Sequence, residues 1–151
     1  QREWGLVFVG DGDAAPELRR RVASLPSGRV IVAGSAQREQ LAIYYGLAGA
    51  FVFPTHSDPW GLVVNEAMAC ALPVIASRAA GCTADLVGHG ENGLVVDPGD
   101  VAQLVSAMTE IASSGDRREK MGAAGRERIA RYSPVACAEG IAHAAVASRR
   151  T

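Results

Sequence analysis

The feature that most constrains this chain is an alternation: short apolar runs, each too brief for a helix, are followed by a turn and then by apolar residues at helical spacing. Runs of this kind bounded by Gly or Pro read as buried strands, and strands alternating with helical patterns read as parallel βαβ units. Strands are expected at 6–9, 29–33, 50–53, 74–76 and 93–96, with helices near 16–24, 37–44 and 62–70 and a short turn near 83–87. Asp97-Pro98-Gly99-Asp100 supplies a turn and an N-cap for a long amphipathic helix to about Ser113, with Val101, Leu104, Val105, Met108 and Ile111 as its buried stripe. Gly115-Asp116 should break that pattern before a helix from about Arg117 to Arg131. Ser133-Pro134 then reads as the N-cap and first residue of a last helix ending near Ala147. No repeat, low-complexity linker or internal domain boundary interrupts the pattern, so one domain over 1–151 is expected.

Composition narrows the function classes. With 151 residues, 48% of them hydrophobic, and a net charge of −1, the chain can build a sizeable core and carries no electrostatic footprint for nucleic acid. No apolar run approaches the ~18 residues of a membrane span, and no signal or transit pattern is legible. A cytoplasmic location is therefore expected, with the inner face of the membrane left open. Cys70, Cys82 and Cys137 are odd in number and lack metal-ligand spacing, which favours reduced thiols in core or loop positions over disulfides or zinc. The basic run Arg117, Arg118, Lys120, Arg126, Arg128 and Arg131 is interleaved with Glu119 and Glu127 and reads as a solvated helix face.

Chemistry concentrates where the third strand meets its helix. Asp58 and Glu66 stand eight residues apart in Pro54-Thr-His-Ser-Asp58-Pro59-Trp60-Gly61-Leu-Val-Val-Asn65-Glu66-Ala-Met-Ala, one before the helix and one about a turn inside it. The first N–H groups of that helix have no internal partner, and the macrodipole adds about half a positive charge there, so the end suits an anionic phosphate. Glycine at 61 lets a ligand approach the backbone closely, and Pro59 fixes the chain leading in. A carboxylate accepting from neighbouring hydroxyls suits ribose or hexose recognition, each charged bond contributing ~1.5–3 kcal/mol. In a chain with 16 acidic residues such a pair also arises by chance as solvated or capping carboxylates, so the surroundings carry the argument. Gly10-Asp11-Gly12 and Gly34-Ser35 follow the first two strands; each could border a nucleotide base or be a plain strand-to-helix turn. Gly81, in the loop Ala80-Gly81-Cys82, could lie against a sugar or serve only as a turn glycine. His56 could orient a carboxylate or be structural, while Trp60 could brace its loop or stack on a ligand.

The run from Pro54 to Cys70, followed by Leu72-Pro73-Val74-Ile75-Ala76-Ser77 and Glu91-Asn92-Gly93-Leu94-Val95-Val96, resembles the donor half of retaining glycosyltransferases of the GT-B fold, the large group often called family four or group one. The likeness extends from Val7-Phe-Val-Gly-Asp-Gly12 to the C-terminal helices. It implies an α/β class: a Rossmann-like parallel sheet flanked by helices, the C-terminal half of a GT-B fold lacking its first strand. By this resemblance the substrate is a nucleotide diphosphate sugar, with no metal or cofactor. Asp58 and Glu66 are then the catalytic pair, Glu66 accepting from ribose hydroxyls and Asp58 from the transferred sugar. Backbone N–H groups at Gly61 and Leu62 receive the diphosphate, with Gly10, Gly12, Gly34, Ser35, His56, Trp60 and Gly81 as donor-binding candidates. The partners implied are the donor and an N-terminal acceptor domain of the same polypeptide, and no nucleic acid. Peripheral membrane association of the parent and self-association of the fragment stay open.

Departures from the family pattern are Asp58 where many relatives carry Glu, Ala71 where the helix usually ends in Gly, and Gly49-Ala50 in place of Asp-Val. The chain opens at Gln1, almost directly on what resembles the family's second strand, without the Gly-Arg…Lys segment or the acceptor half. It is therefore expected to be inactive alone and to bind nucleotide weakly, with Val135, Ala138, Ile141, Ala142 and Ala145 of the last helix exposed or mispacked. A nucleotide-sugar epimerase or phosphorylase, or a non-enzymatic α/β module, are the rival readings.

Overall fold

A computed structural model of the protein describes residues 4–25 and 28–148. The chain divides into two compact units, Gln1–Gly46 and Leu47–Thr151. Among the described residues every strand pair is parallel, as the βαβ alternation predicts.

The first unit contains β1 (Leu6–Val9), α1 (Ala15–Ala23), β2 (Val30–Gly34) and all but the last residue of α2 (Arg38–Leu47). β1 pairs with β2 from Leu6↔Val30 to Val9↔Gly34, with an irregularity between Phe8 and Val9. That irregularity carries the ladder on to Gly34, so β2 runs one residue later than the expected 29–33. Along α1, Glu17 accepts from Arg21 at 2.8 Å and also pairs with Arg20, which draws its carboxyl below the usual range.

The second unit contains β3 (Phe51–Phe53), α3 (Leu62–Ala69), β4 (Val74–Ser77), α4 (Thr83–Leu86), β5 (Gly93–Val96), α5 (Val101–Ser113), α6 (Gly115–Ile129) and α7 (Pro134–Ala147). The sheet order is β3-β4-β5. Every residue of β4 is buried. This is what an unbroken Val74-Ile75-Ala76 run implies, because a parallel sheet is covered on both faces and has no polar side to alternate with. Ile75, Leu94, Val96, Ala107, Ile111 and Met121 form one core cluster, with Leu104 and Met108 packed against it. Val64, Ala67 and Met68 of α3 are completely buried. Helix α6 comes close to the end of α3, since a side chain at Gly122 would meet the Ala71 carbonyl oxygen at 2.0 Å.

Further expectations need correction, among them the end of α2, which runs to Leu47 and not to Tyr44. The buried stripe of α5 is Leu104, Ala107, Met108 and Ile111, whereas Val101 and Val105 are exposed. Positions spaced three and four apart from Leu104 face the sheet; Val105 is rotated off that line, and Val101 lies in the first turn. Helix α6 begins at Gly115 because the Ser114 hydroxyl oxygen accepts from Arg117 N–H at 3.3 Å. Gly115 and Asp116 thus occupy first-turn positions, where N–H groups need no intrahelical acceptor, and they extend the helix that they were expected to precede. The same helix ends at Ile129, two residues before the expected Arg131.

The caps of α5 and α7 follow the sequence. Asp100 accepts from Gln103 N–H at 2.9 Å, and Ser133 accepts from Ala136 N–H at 3.1 Å with Pro134 next in line. The basic run of α6 and the turn after it is laced with ion pairs, among them Lys120–Asp116 at 2.8 Å and Arg131–Glu127 at 3.3 Å. Arg118 instead donates to the Ile111 and Ala112 carbonyls at the end of α5. Helix α7 buries no residue, so Val135, Ala138, Ile141, Ala142 and Ala145 are exposed as expected. Among the described residues no helix is long and apolar enough to cross a membrane.

Ala71 closes α3 with φ 57°, a left-handed conformation in which a Cβ crowds the following carbonyl. Ala71→Gly relieves that strain while adding freedom to the unfolded chain, and the first effect outweighs the second by about 0.5–1 kcal/mol. Urea denaturation should show a higher midpoint for this variant with an unchanged slope.

Candidate functional site

The site is built where the chain leaves β3 and β4. Beyond their C-terminal ends the two segments stay side by side: Asp58 N–H donates to the Ala79 carbonyl at 3.4 Å, Gly81 N–H to the Asp58 carbonyl at 3.0 Å, and Cys82 N–H to the Trp60 carbonyl at 2.9 Å. An isolated parallel bridge, Asp58↔Ala80, marks this continuation. It depends on Gly81, because a Cβ there would lie 2.1 Å from the Pro59 carbonyl oxygen. The glycine therefore serves close approach of two backbones.

Within the first segment the Asp58 carboxylate accepts from Trp60 N–H at 2.9 Å and fixes a tight turn. The Trp60 indole N–H donates to Asn65 Oδ1 at 3.0 Å. Gly61 then turns the chain into α3 with φ 91°, and the direction its side chain would take is filled by the Phe53 ring at 2.8 Å. Glycine at 61 thus answers to a left-handed backbone and to packing, and the residue is itself buried. The hydrogen bonds of the helix begin with Val64 N–H to the Gly61 carbonyl at 2.9 Å, so Leu62 and Val63 N–H have no intrahelical acceptor. Leu62 is exposed, so this end of the helix opens to the surface. Asp58 is half-buried in front of the helix, and Glu66 is exposed along it.

Beneath the turn lies Cys82, fully buried, its thiol 3.8 Å from the Gly61 carbonyl oxygen. Burial pushes this thiol up, with smaller contributions from the Asp58 and Asp85 carboxylates. His56 is exposed, its Cε1 3.5 Å from where a Gly99 side chain would stand, so it flanks the turn leading into α5. Two surface hollows of this unit lie elsewhere: about 490 Å³ lined by Ala71, Glu119, Ala123, Arg126 and Glu127, and about 520 Å³ around Arg78, His89, Asp97 and Gln103. Neither hollow includes Asp58 or Glu66 among its lining residues.

In the first unit, Gly10 N–H donates to the Gly34 carbonyl at 2.8 Å, bringing those two glycines together at the C-terminal ends of β1 and β2. Gly12 N–H donates to the Asp11 carboxylate at 3.0 Å, and Ser35 is exposed beside Gly34. Arg19 of α1 reaches the same strand ends, 3.9 Å from the Asp11 carboxylate and 3.7 Å from where a Gly34 side chain would be. Sequence reasoning missed Arg19 and Asn65. A single arginine among several on a helix carries no signal, and a five-residue separation across a loop and a helix start matches no periodic rule.

The chain matches the family profile "Glycosyl transferases group 1" over residues 1–128 and belongs to that family. It is 33% identical over 130 residues to the sulfoquinovosyl transferase of Arabidopsis thaliana, covering 84% of this chain and 25% of that protein. Among solved structures it resembles sucrose-phosphate synthase from Thermosynechococcus elongatus, with a TM-score of 0.76 at 30% identity over 95% of this chain and 39% of that one. It also resembles Anabaena HepE, solved in complex with UDP, with a TM-score of 0.83 at 24% identity over 95% of this chain and 41% of that one. The fold is thus that of GT-B glycosyltransferase C-terminal domains: parallel strands flanked by helices. The chain spans about a quarter to two fifths of the length of the first curated relatives it matches.

The buried thiol yields two expected outcomes. At neutral pH Cys82 should react with iodoacetamide far more slowly than the exposed Cys70 and Cys137. Gly81→Ala should force the two segments apart, lower stability by about 1–3 kcal/mol and bring the labelling of Cys82 up toward that of the other two. Mass spectrometry of timed alkylation reads both.

Proposed function

We propose that this chain is the donor-binding half of a retaining glycosyltransferase, which passes a sugar from a nucleotide diphosphate sugar to a glycan, lipid or small-molecule acceptor. The observation that supports the reading is that Asp58 precedes, and Glu66 follows along the chain, the exposed start of α3. Gly61 and Leu62 N–H groups and the helix dipole suit the diphosphate, with Val63 N–H next in line. As the glycosidic bond to phosphate breaks, negative charge grows on the leaving oxygen, and dipoles already aimed there lower the barrier without reorganising. Asp58 spends one acceptor position on Trp60 N–H, yet a carboxylate offers about four, so it retains capacity for sugar hydroxyls. Glu66 is assigned to the ribose, whose binding holds the anomeric carbon in place for reaction. HepE, on the same fold, binds UDP, which supports a nucleotide donor. The acceptor is delivered from the leaving-group side, and the chemistry calls for no metal.

The acceptor-binding half is assigned to the remainder of the parent polypeptide, so the chain of 151 residues alone is expected to give no sugar transfer. Robust turnover by it would refute this. In the intact parent, titration calorimetry against UDP-, GDP- and ADP-sugars should identify one donor. Glu66→Ala should then weaken nucleotide binding by roughly tenfold or more, the worth of a charged hydrogen bond. Asp58→Asn should reduce discrimination between donor sugars more than affinity for the free nucleoside diphosphate. Binding by the Glu66→Ala protein as tight as the parent's overturns the assignment of that residue.

A further inference from the structure

We propose that Asn65 is a positioning residue of the donor site, acting through Trp60 to hold Asp58 in register with α3; the inference rests on the donor-binding reading above. Trp60 is gripped at three points: its N–H donates to the Asp58 carboxylate at 2.9 Å, its carbonyl accepts from Cys82 N–H at 2.9 Å, and its indole N–H donates to Asn65 Oδ1 at 3.0 Å. The first two bonds belong to the loop and its neighbour. Only the third reaches the helix. Indole nitrogen is a donor and nothing else, so the chemistry requires the amide oxygen of Asn65, and not its nitrogen, to face Trp60. Asn65 sits in the first turn of α3, immediately before Glu66. The bond therefore ties the turn that orients one carboxylate to the helix that carries the other.

The alternatives for this turn are few. Pro59 removes one donor from it, and Gly61, in a left-handed conformation, contributes no side chain. Phe53 fills the space beside Gly61 but offers no hydrogen bond. Without the Asn65 acceptor the half-buried indole has to find another partner or swing outward, and the Trp60 backbone that fixes Asp58 moves with it. Glu66 is carried by the helix backbone and is not a partner in this bond. Loss of Asn65 should therefore fall on sugar recognition and leave nucleoside recognition in place.

The test uses the intact parent polypeptide with the nucleotide sugar it binds and the matching free nucleoside diphosphate, Glu66→Ala serving as the control for the donor site itself. Asn65→Leu, close to isosteric but without an acceptor, should keep nucleoside diphosphate affinity within about twofold while the added affinity due to the sugar falls about tenfold, the worth of one hydrogen bond. Trp60→Phe removes the same bond from the other side and should give the same pattern, and the double variant should lose no more than either single one. In the ¹⁵N–¹H spectrum the Trp60 indole resonance, identified by its loss in Trp60→Phe, should move and exchange faster with water in Asn65→Leu. Equal losses for nucleoside and sugar, additive losses in the double variant, or an unmoved indole resonance would each overturn the proposal. If Asn65→Leu does not fold, Trp60→Phe with unchanged sugar preference does the same. If the parent binds no nucleotide sugar, or Glu66→Ala leaves binding intact, the donor-site reading falls and this inference with it.

Discussion

The close approach of two backbone segments beyond β3 and β4 is the constraint on which the candidate site depends. Three hydrogen bonds join 58–60 to 79–82, and they form because Gly81 has no side chain to strike the Pro59 carbonyl. Backbone groups paired in this way are costly to separate when they would be left without partners. The pairing holds Asp58 beside Ala80, leaves Cys82 sealed beneath the turn and delivers Gly61 to the start of α3 in a left-handed conformation.

From that junction the two carboxylates acquire different surroundings although they lie close in sequence. Asp58 is half-buried and already committed to one backbone N–H, which holds one of its carboxylate oxygens toward Trp60. Glu66 rides on an α3 whose opposite face, Val64, Ala67 and Met68, is wholly buried, which makes the helix a rigid mount. The neutral thiol of Cys82 adds no anion to this corner, since burial holds its proton in place.

The core beneath serves the same end. β4 is buried along its whole length, and it carries the 78–82 segment directly from its C-terminal end. α6 packs against the end of α3 through Gly122, beside the Ala71 carbonyl, where the chain turns through a left-handed alanine. No residue of α7 is fully buried, and its capping serine and proline account for where it starts.

Much of this was legible in the residues. Apolar runs of strand length between helical patterns determined a parallel α/β arrangement, because only strands covered on both faces need no polar alternation. Asp100, Ser133 and Pro134 determined where helices begin, since a cap is a local bond between residues three apart. The strand-to-helix junction of Asp58 and Glu66 determined a candidate site, and the family pattern over 1–128 its class. Only the tertiary structure decided that Gly61 faces Phe53, that Gly81 is required by Pro59, that Trp60 is tied to Asn65, and that Val101 and Val105 stay exposed. Each of these turns on what lies across a gap between elements, and a linear pattern records periodicity along the chain but not the distance to a neighbour that folding brings alongside.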